Sequence, residues 1–177
     1  SASFERDAAC DKYLTPLLYY KGFQALQLQR VASWFWKNDR CEVAFFLQSK
    51  MAEVFHVDIH PGAKIGSGIM LDHATGLVIG ETAIIGNNVS VLHSVTLGGN
   101  GNSGGKRHPT IGDGVMISAG AKLIGDITIG EGTKIGAGSL VLKSMPAHAT
   151  VVGVPASVVG MPLDEIPALN MNQNLDG

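Results

Sequence analysis

From Val57 onward, aliphatic residues return every six positions. One run places Ile59, Ile65 and Leu71; a second places Ile79, Ile85, Val91 and Leu97; a third places Ile111, Ile117, Leu123, Ile129, Ile135 and Val141. Glycine often follows directly, as at Gly66, Gly80, Gly86, Gly112 and Gly136, and a small, apolar or hydroxyl residue stands four positions on, as at Ala63, Ala83, Val95, Ala121 and Thr133. An amphipathic α-helix repeats at 3.6 residues and loses about 1 kcal/mol for each interior glycine relative to alanine, so it does not fit. Long flat strands would alternate. Short strands with a corner every six residues do fit, and three of them make a triangular turn of about 18 residues that buries the aliphatic face of the next. The expectation is a parallel β-helix. Two interruptions break its rhythm. Two extra residues fall near Leu77–Val78. A longer break, GGNGNSGGKRHP from Gly98 to Pro109, has five glycines and no large apolar side chain. It is expected to leave the coil as an exposed loop, and loops of that length in compact domains tend to carry function.

The residues before the coil are of another kind. All eleven aromatic residues lie at or before Phe55, and 22 of the 23 glycines lie after it. Leu14, Leu17, Leu18, Phe23, Leu26, Leu28, Val31 and Phe35 recur at helical spacing. Thr15–Pro16 can open a helix, with Thr15 as N-cap. Asn38–Asp39 marks a break, and Cys41 to Phe55 is a second helical stretch. Trp34, Phe35 and Trp36 could form a cofactor platform but read first as core or subunit contact. The chain therefore divides into a helical region, 1–56, a β-helix domain, 57–160, with an extruded loop at 98–110, and a tail, 161–177. Pro162, Pro167 and an Asn/Gln run make that tail read as mobile.

A net charge of −2 over 177 residues gives no broad basic surface, which argues against nucleic-acid binding of the electrostatic kind. No apolar run approaches the ~18 residues of a membrane span. Cys10 and Cys41 do not make a disulfide framework and, with no signal peptide, read as reduced thiols of a cytoplasmic protein.

The hexad pattern resembles the acyltransferases built on a left-handed parallel β-helix, and the left hand comes from that resemblance alone. The segments VDIHPGAKIGSGIMLDHATGLVIGET, SVTLGGNGNSGGKRHPTIGDGV, GVPASVVG and DKYLTPLLYYKGFQALQ are more specific. Over about Arg6 to Gly160 the chain is similar to the serine O-acetyltransferase family. The resemblance implies acetyl transfer from acetyl-CoA, as co-substrate, to the hydroxyl of L-serine, the first step of cysteine biosynthesis, with L-cysteine as feedback inhibitor. It implies a homotrimer with sites between subunits. Family members carry a further helical segment that pairs trimers into a hexamer, and the start at Ser1 without it leads to the expectation of a truncated or processed chain. The family's terminal isoleucine docks into O-acetylserine sulfhydrylase. The end at Gly177 lacks it, so that docking is not expected of this chain.

A hydroxyl is a weak nucleophile at neutral pH, and histidine is its usual general base. In LDHATG that base matches His73. The family match gives Asp58, in VDIHP, as the carboxylate that orients it. Fifteen residues separate the two, short of a full turn, so contact requires an irregular first turn or a corner geometry that the sequence does not show. By the same resemblance Asp7 and Asp72 take the serine ammonium, and Arg107 and His108 of a neighbouring subunit take its carboxylate. Gly99, Ala119, Lys134 and Ala137 match CoA-contact positions, and Gly98 or Gly99 could donate to the thioester oxygen. Lys134 or Lys143 could meet CoA phosphates. Direct transfer in a ternary complex is expected, since no serine or cysteine stands out as an acyl carrier.

Three other readings compete. A zinc enzyme of the γ-carbonic anhydrase type shares the solenoid and would use His73 and His93, twenty residues apart and so on one corner; a third ligand is not evident, and no metal is expected. A hexapeptide acetyltransferase for sugar or antibiotic hydroxyls is argued against by LDHATG and GGKRHP. A non-catalytic scaffold would not need His73, Asp58 and Arg107 near one crevice.

Overall fold

The computed structural model describes residues 2–101 and 104–175. Asn102 and Ser103 of the expected loop, and the last two residues of the tail, lie outside the described residues.

The hexads form three parallel sheets, one per side of a triangular solenoid. The first contains β1 (Val57–Ile59), β4 (Leu77–Ile79), β7 (Thr96–Gly98), β10 (Lys122–Ile124) and β13 (Leu140–Val141). The second contains β2 (Lys64–Ile65), β5 (Ile84–Ile85), β8 (Thr110–Ile111) and β11 (Thr128–Ile129). The third contains β3 (Met70–Leu71), β6 (Ser90–Val91), β9 (Met116–Ile117), β12 (Lys134–Ile135) and β14 (Thr150–Gly153), and closes with β15 (Ala156–Gly160), which is antiparallel to β14. The hexad aliphatics stack in vertical columns, Ile59 under Ile79 under Leu97 under Leu123 under Val141, for example. Of the thirteen all but Ile65 are buried, and burying such a side chain stabilises by roughly 1.5–3 kcal/mol. Each coil thus supplies the face that its neighbours need.

The extra two residues are not at Leu77–Val78. Leu71 pairs with Val91, and the Asp72 N–H donates to Val91 O, so Asp72 stands below Leu92. The Ser94 N–H donates to Thr75 O, so Thr75 stands below His93. The residues left over are His73 and Ala74. They bulge from the corner between the third and first sheets, and both have left-handed backbones, φ 54° and 60°. Among the described residues no other two consecutive non-glycine residues do so.

The helices close the lower end. α1 (Ala2–Arg6) is followed by α2 (Leu14–Tyr19), α3 (Lys21–Lys37) and α4 (Cys41–Phe55). Thr15 lies inside α2 rather than capping it, and Tyr13 is the N-cap. The single helix that the spacing predicts is broken at extended Tyr20 (φ −88°, ψ 105°). α3 lies on the first coil and satisfies its open rung: Gln29 Nε2 donates to Ala63 O at 3.3 Å and Arg30 to Gly66 O at 2.8 Å. An exposed ladder end is thereby covered. Trp36 packs edge-on to Phe45 and His60, while Trp34 faces solvent. No described helix is long and apolar enough to cross a membrane.

The tail does not hang free. It forms α5 (Pro167–Asn170), whose Pro167 and Ala168 are buried against the third sheet, and Ser90 Oγ donates to Ala168 O at 2.7 Å. Arg6 reaches the same hydroxyl from α1, at 3.1 Å. Composition hides this docking, because two of its hydrogen bonds run to the backbone carbonyls of Ala168 and Asn174.

Candidate active site

The bulge at His73 opens on a cavity of about 560 Å³ whose lining includes Asp7, Tyr20, Lys21, Asp72, His73 and Thr75. These six are brought together from three places: the turn after α1, the α2–α3 junction and the corner after β3. His73 is exposed, and its Nε2 lies 3.7 Å from Asp72 Oδ1. Asp7 Oδ1 accepts the Ala9 N–H at 2.9 Å. The Tyr20 phenol also hydrogen-bonds to the Asp7 carboxylate, which with burial and the nearby Cys10 thiol pushes its pKa far above the usual range. The cavity therefore presents two carboxylates and an imidazole to one small space, a set suited to an ammonium-bearing hydroxyl compound.

His93 stands one coil above, its ring 5.9 Å from that of His73 and nearly perpendicular. Its Nδ1 is buried without a hydrogen-bond partner. Spacing alone had a use for His93 only as a metal ligand, and among the described residues no three His, Cys, Asp or Glu side chains are grouped to hold an ion. Above His93 the same corner carries Ala119 and then Ala137: the Gly120 N–H donates to His93 O and the Gly138 N–H to Ala119 O. Two of the expected CoA positions thus continue the edge that starts at His73.

Asp58 is not in the cavity lining. Val57 and Ile59 point inward, so Asp58 projects from the first sheet, where Gln48 Nε2 donates to its Oδ1 at 2.7 Å. It makes no ion pair with His73 here. The cause is the one the spacing raises: the two are not stacked.

Arg107 and His108 lie at another edge, between the first and second sheets. Thr82 captures both. Its Oγ1 accepts the Arg107 N–H at 3.0 Å and the His108 N–H at 3.2 Å. Its own N–H donates to His108 Nδ1 at 3.2 Å. That makes Nδ1 an acceptor and leaves the ring proton on Nε2. Burial, then the Arg107 and Lys106 charges, hold His108 below the usual imidazole range. His108 rests on Gly80, where a Cβ would stand 1.9 Å from its Nε2. Arg107 is paired with Glu81, whose carboxyl that contact pushes down. His60 is nearby and also lowered, chiefly by burial. Gly99 belongs to this edge as well, close to His108 and Arg107.

Lys134 is buried on the third sheet, its pKa lowered by desolvation, and its ammonium donates to Asn174 O of the tail. Ser118 Oγ donates to Gln173 Oε1 at 2.6 Å beside it. The tail thus covers one expected CoA position. Lys143 is exposed.

Residues 108–143 match the bacterial transferase hexapeptide (six repeats) family, and residues 1–28 match the N-terminal region of serine acetyltransferase. The chain is 59% identical over 172 residues to a serine acetyltransferase of Escherichia coli (strain K12), covering 97% of this chain and 63% of that protein. It therefore spans a little under two thirds of that relative's length. The crystal structure of a serine acetyltransferase from Vibrio cholerae O1 superposes with a TM-score of 0.98 at 54% identity, covering 99% of this chain and 68% of that one. A solenoid of hexads, a helical lower cap and a histidine bulge at its first wide corner are combined in one chain, and by identity and coverage this chain belongs to the serine acetyltransferase family.

Proposed function

We propose that the chain catalyses acetyl transfer from acetyl-CoA to the hydroxyl of L-serine, giving O-acetyl-L-serine and CoA. The observation that carries this is the exposed His73 on its two-residue bulge, facing a cavity with Asp7 and Asp72. His73 takes the serine Oγ proton as Oγ attacks the thioester carbonyl carbon. The tetrahedral intermediate collapses, the C–S bond breaks, and the departing CoA sulfur takes the proton back from the imidazolium. Such a base contributes about 10²–10⁴ in rate. Asp7 and Asp72 hold the serine ammonium. Asp58 projects from the sheet that adjoins the His73 corner, and it is the carboxylate we assign to the imidazolium. Backbone N–H groups at Gly98 or Gly99 serve the thioester oxygen.

Serine's carboxylate needs cations, and those on the GGKRHP loop sit on another edge of the same prism. We infer that Arg107 and His108 serve the cavity of a second copy, in a closed homotrimer that brings unlike edges together. The His108 Nε2–H and the Arg107 guanidinium are both suited to a carboxylate. Acetyl-CoA then lies between copies, its pantetheine arm along Ala119 and Ala137 of one, within reach of Lys134 once the tail yields and of Gly99. In solved neighbours, a Brucella abortus serine acetyltransferase is in complex with coenzyme A, a Neisseria gonorrhoeae one with serine and another with cysteine. L-Cysteine carries the same ammonium and carboxylate as serine, and we propose that it inhibits by occupying the same site. The product feeds cysteine biosynthesis in the cytoplasm, where Cys10 and Cys41 stay free thiols.

The test is thiol release from acetyl-CoA with and without L-serine and L-cysteine. Serine-dependent release that falls about 10²–10⁴-fold in His73→Ala, with acetyl-CoA binding and melting temperature kept, is the expected result. Release without serine, or a His73→Ala variant with normal turnover, overturns the reading.

A further inference from the structure

One wall of the His73 cavity has no role in the chemistry above. The α2–α3 junction makes it. Gly22 packs so tightly on the end of β3 that a Cβ there would stand 2.1 Å from Leu71 O. Only a hydrogen fits, and the first turn of α3 is thereby pressed against the strand that enters the bulge. From this turn Lys21 reaches across the cavity wall, and its ammonium donates to Thr75 Oγ1. Thr75 is the residue at which the bulge rejoins the ladder, through Ser94 N–H to Thr75 O at 2.7 Å. The two left-handed residues between Asp72 and Thr75 are strained and persist only where both ends are held. The ladder holds the Asp72 end through Val91, and the Gly76 N–H, donated to His56 O at 2.8 Å, helps at the other. Lys21 is the sole Lys or Arg side chain lining this cavity among the described residues.

We propose that Lys21 is a positioning residue for the reaction: by holding Thr75 Oγ1 it fixes the His73 bulge in the orientation that faces the substrate. This rests on His73 being the base. It differs from a direct role in substrate binding in what it predicts. Lys21→Met keeps the stem and removes the donor, and Thr75→Val keeps the shape and removes the acceptor. Each is expected to lower kcat about 10- to 100-fold, the scale of a reacting group displaced by an ångström or less. KM for serine and acetyl-CoA should stay within about twofold, since ground-state binding is not what is lost. The double variant should be no slower than the slower single, and Lys21→Arg should recover most of the rate. Losses that multiply in the double variant overturn the proposal. So does a Lys21→Met effect confined to the serine KM, which would make Lys21 a substrate ligand.

A second readout does not need activity. The His73 imidazole C–H resonance, assigned by its disappearance in His73→Ala, should shift or broaden in Lys21→Met and in Thr75→Val. It should not change in Lys50→Met, on the far helix. An unmoved resonance in the first two overturns the proposal. If the wild-type chain shows no serine-dependent release, the acetyl-transfer reading fails, while this resonance still decides whether Lys21 holds the bulge.

Discussion

Two edges of one prism carry the candidate chemistry, and they are built in opposite ways. At the edge holding His73 the backbone is bulged and left-handed, the imidazole is exposed, and the neighbouring His93 Nδ1 is buried without a hydrogen-bond partner. At the edge holding His108 the imidazole is 8% exposed and its loop is pinned by four contacts to one threonine. The first arrangement leaves an imidazole open to take a proton. The second fixes a donor that needs only to bind. At the first edge the backbone is held while the ring stays open to substrate; at the second the ring itself is held, as suits recognition of a fixed charge.

The largest expected effect tests whether the two edges work across copies. His73→Ala and Arg107→Ala homomers should each be slower by about 10²-fold or more. When the two are co-expressed or refolded together, mixed assemblies regain sites with both residues intact, and activity should rise well above that of either parent. No recovery would mean that both halves serve one chain. A middle-sized effect probes the fixed edge alone. Gly80→Ala drives a methyl into the His108 ring, and overpacking of this kind costs about 1–3 kcal/mol, read from urea unfolding. Serine KM should rise with it and acetyl-CoA binding should not. Equal loss of both ligands would show that the edges are not separable.

The smallest effect is in pH. His60 and His108 are both held below the ordinary histidine value in the folded chain. The unfolded chain therefore takes up protons first as pH falls through about 6.5, so stability is full above that value and declines below it. His108→Gln should flatten the fall in melting temperature between about pH 7 and pH 5. An unchanged slope would place the acid sensitivity elsewhere.

The coil was legible because stacking repeats: each hexad must bury the same column, so the period survives in the residues from Ile59 to Val141. The bulge was not. Ala74 with a positive φ has no signature, and Leu77 beside Val78 resembles a slipped hexad, so the spacing points a few residues too late. His73, Asp7 and Asp72 were reachable through LDHATG and the segment after Arg6, and the structure brings them to one cavity. Asp58 was reachable by likeness but has Gln48 as its neighbour. Tyr20 and Lys21 were hidden because a polar residue at a helix start reads as solvated, and nothing in KGF announces that Gly22 meets a carbonyl. The docking of the tail is hidden for a related reason: Ala168 O and Asn174 O accept anchoring bonds, and carbonyls carry no sequence.

That clasp on the third sheet has a consequence of its own. A stacked coil ordinarily frays from either end, one rung at a time. Here the segment before the first rung and the segment after the last meet on Ser90, on the second coil. Neither end can unzip until the knot at that serine is undone, so melting of the outermost rungs is tied to a hydroxyl that belongs to neither.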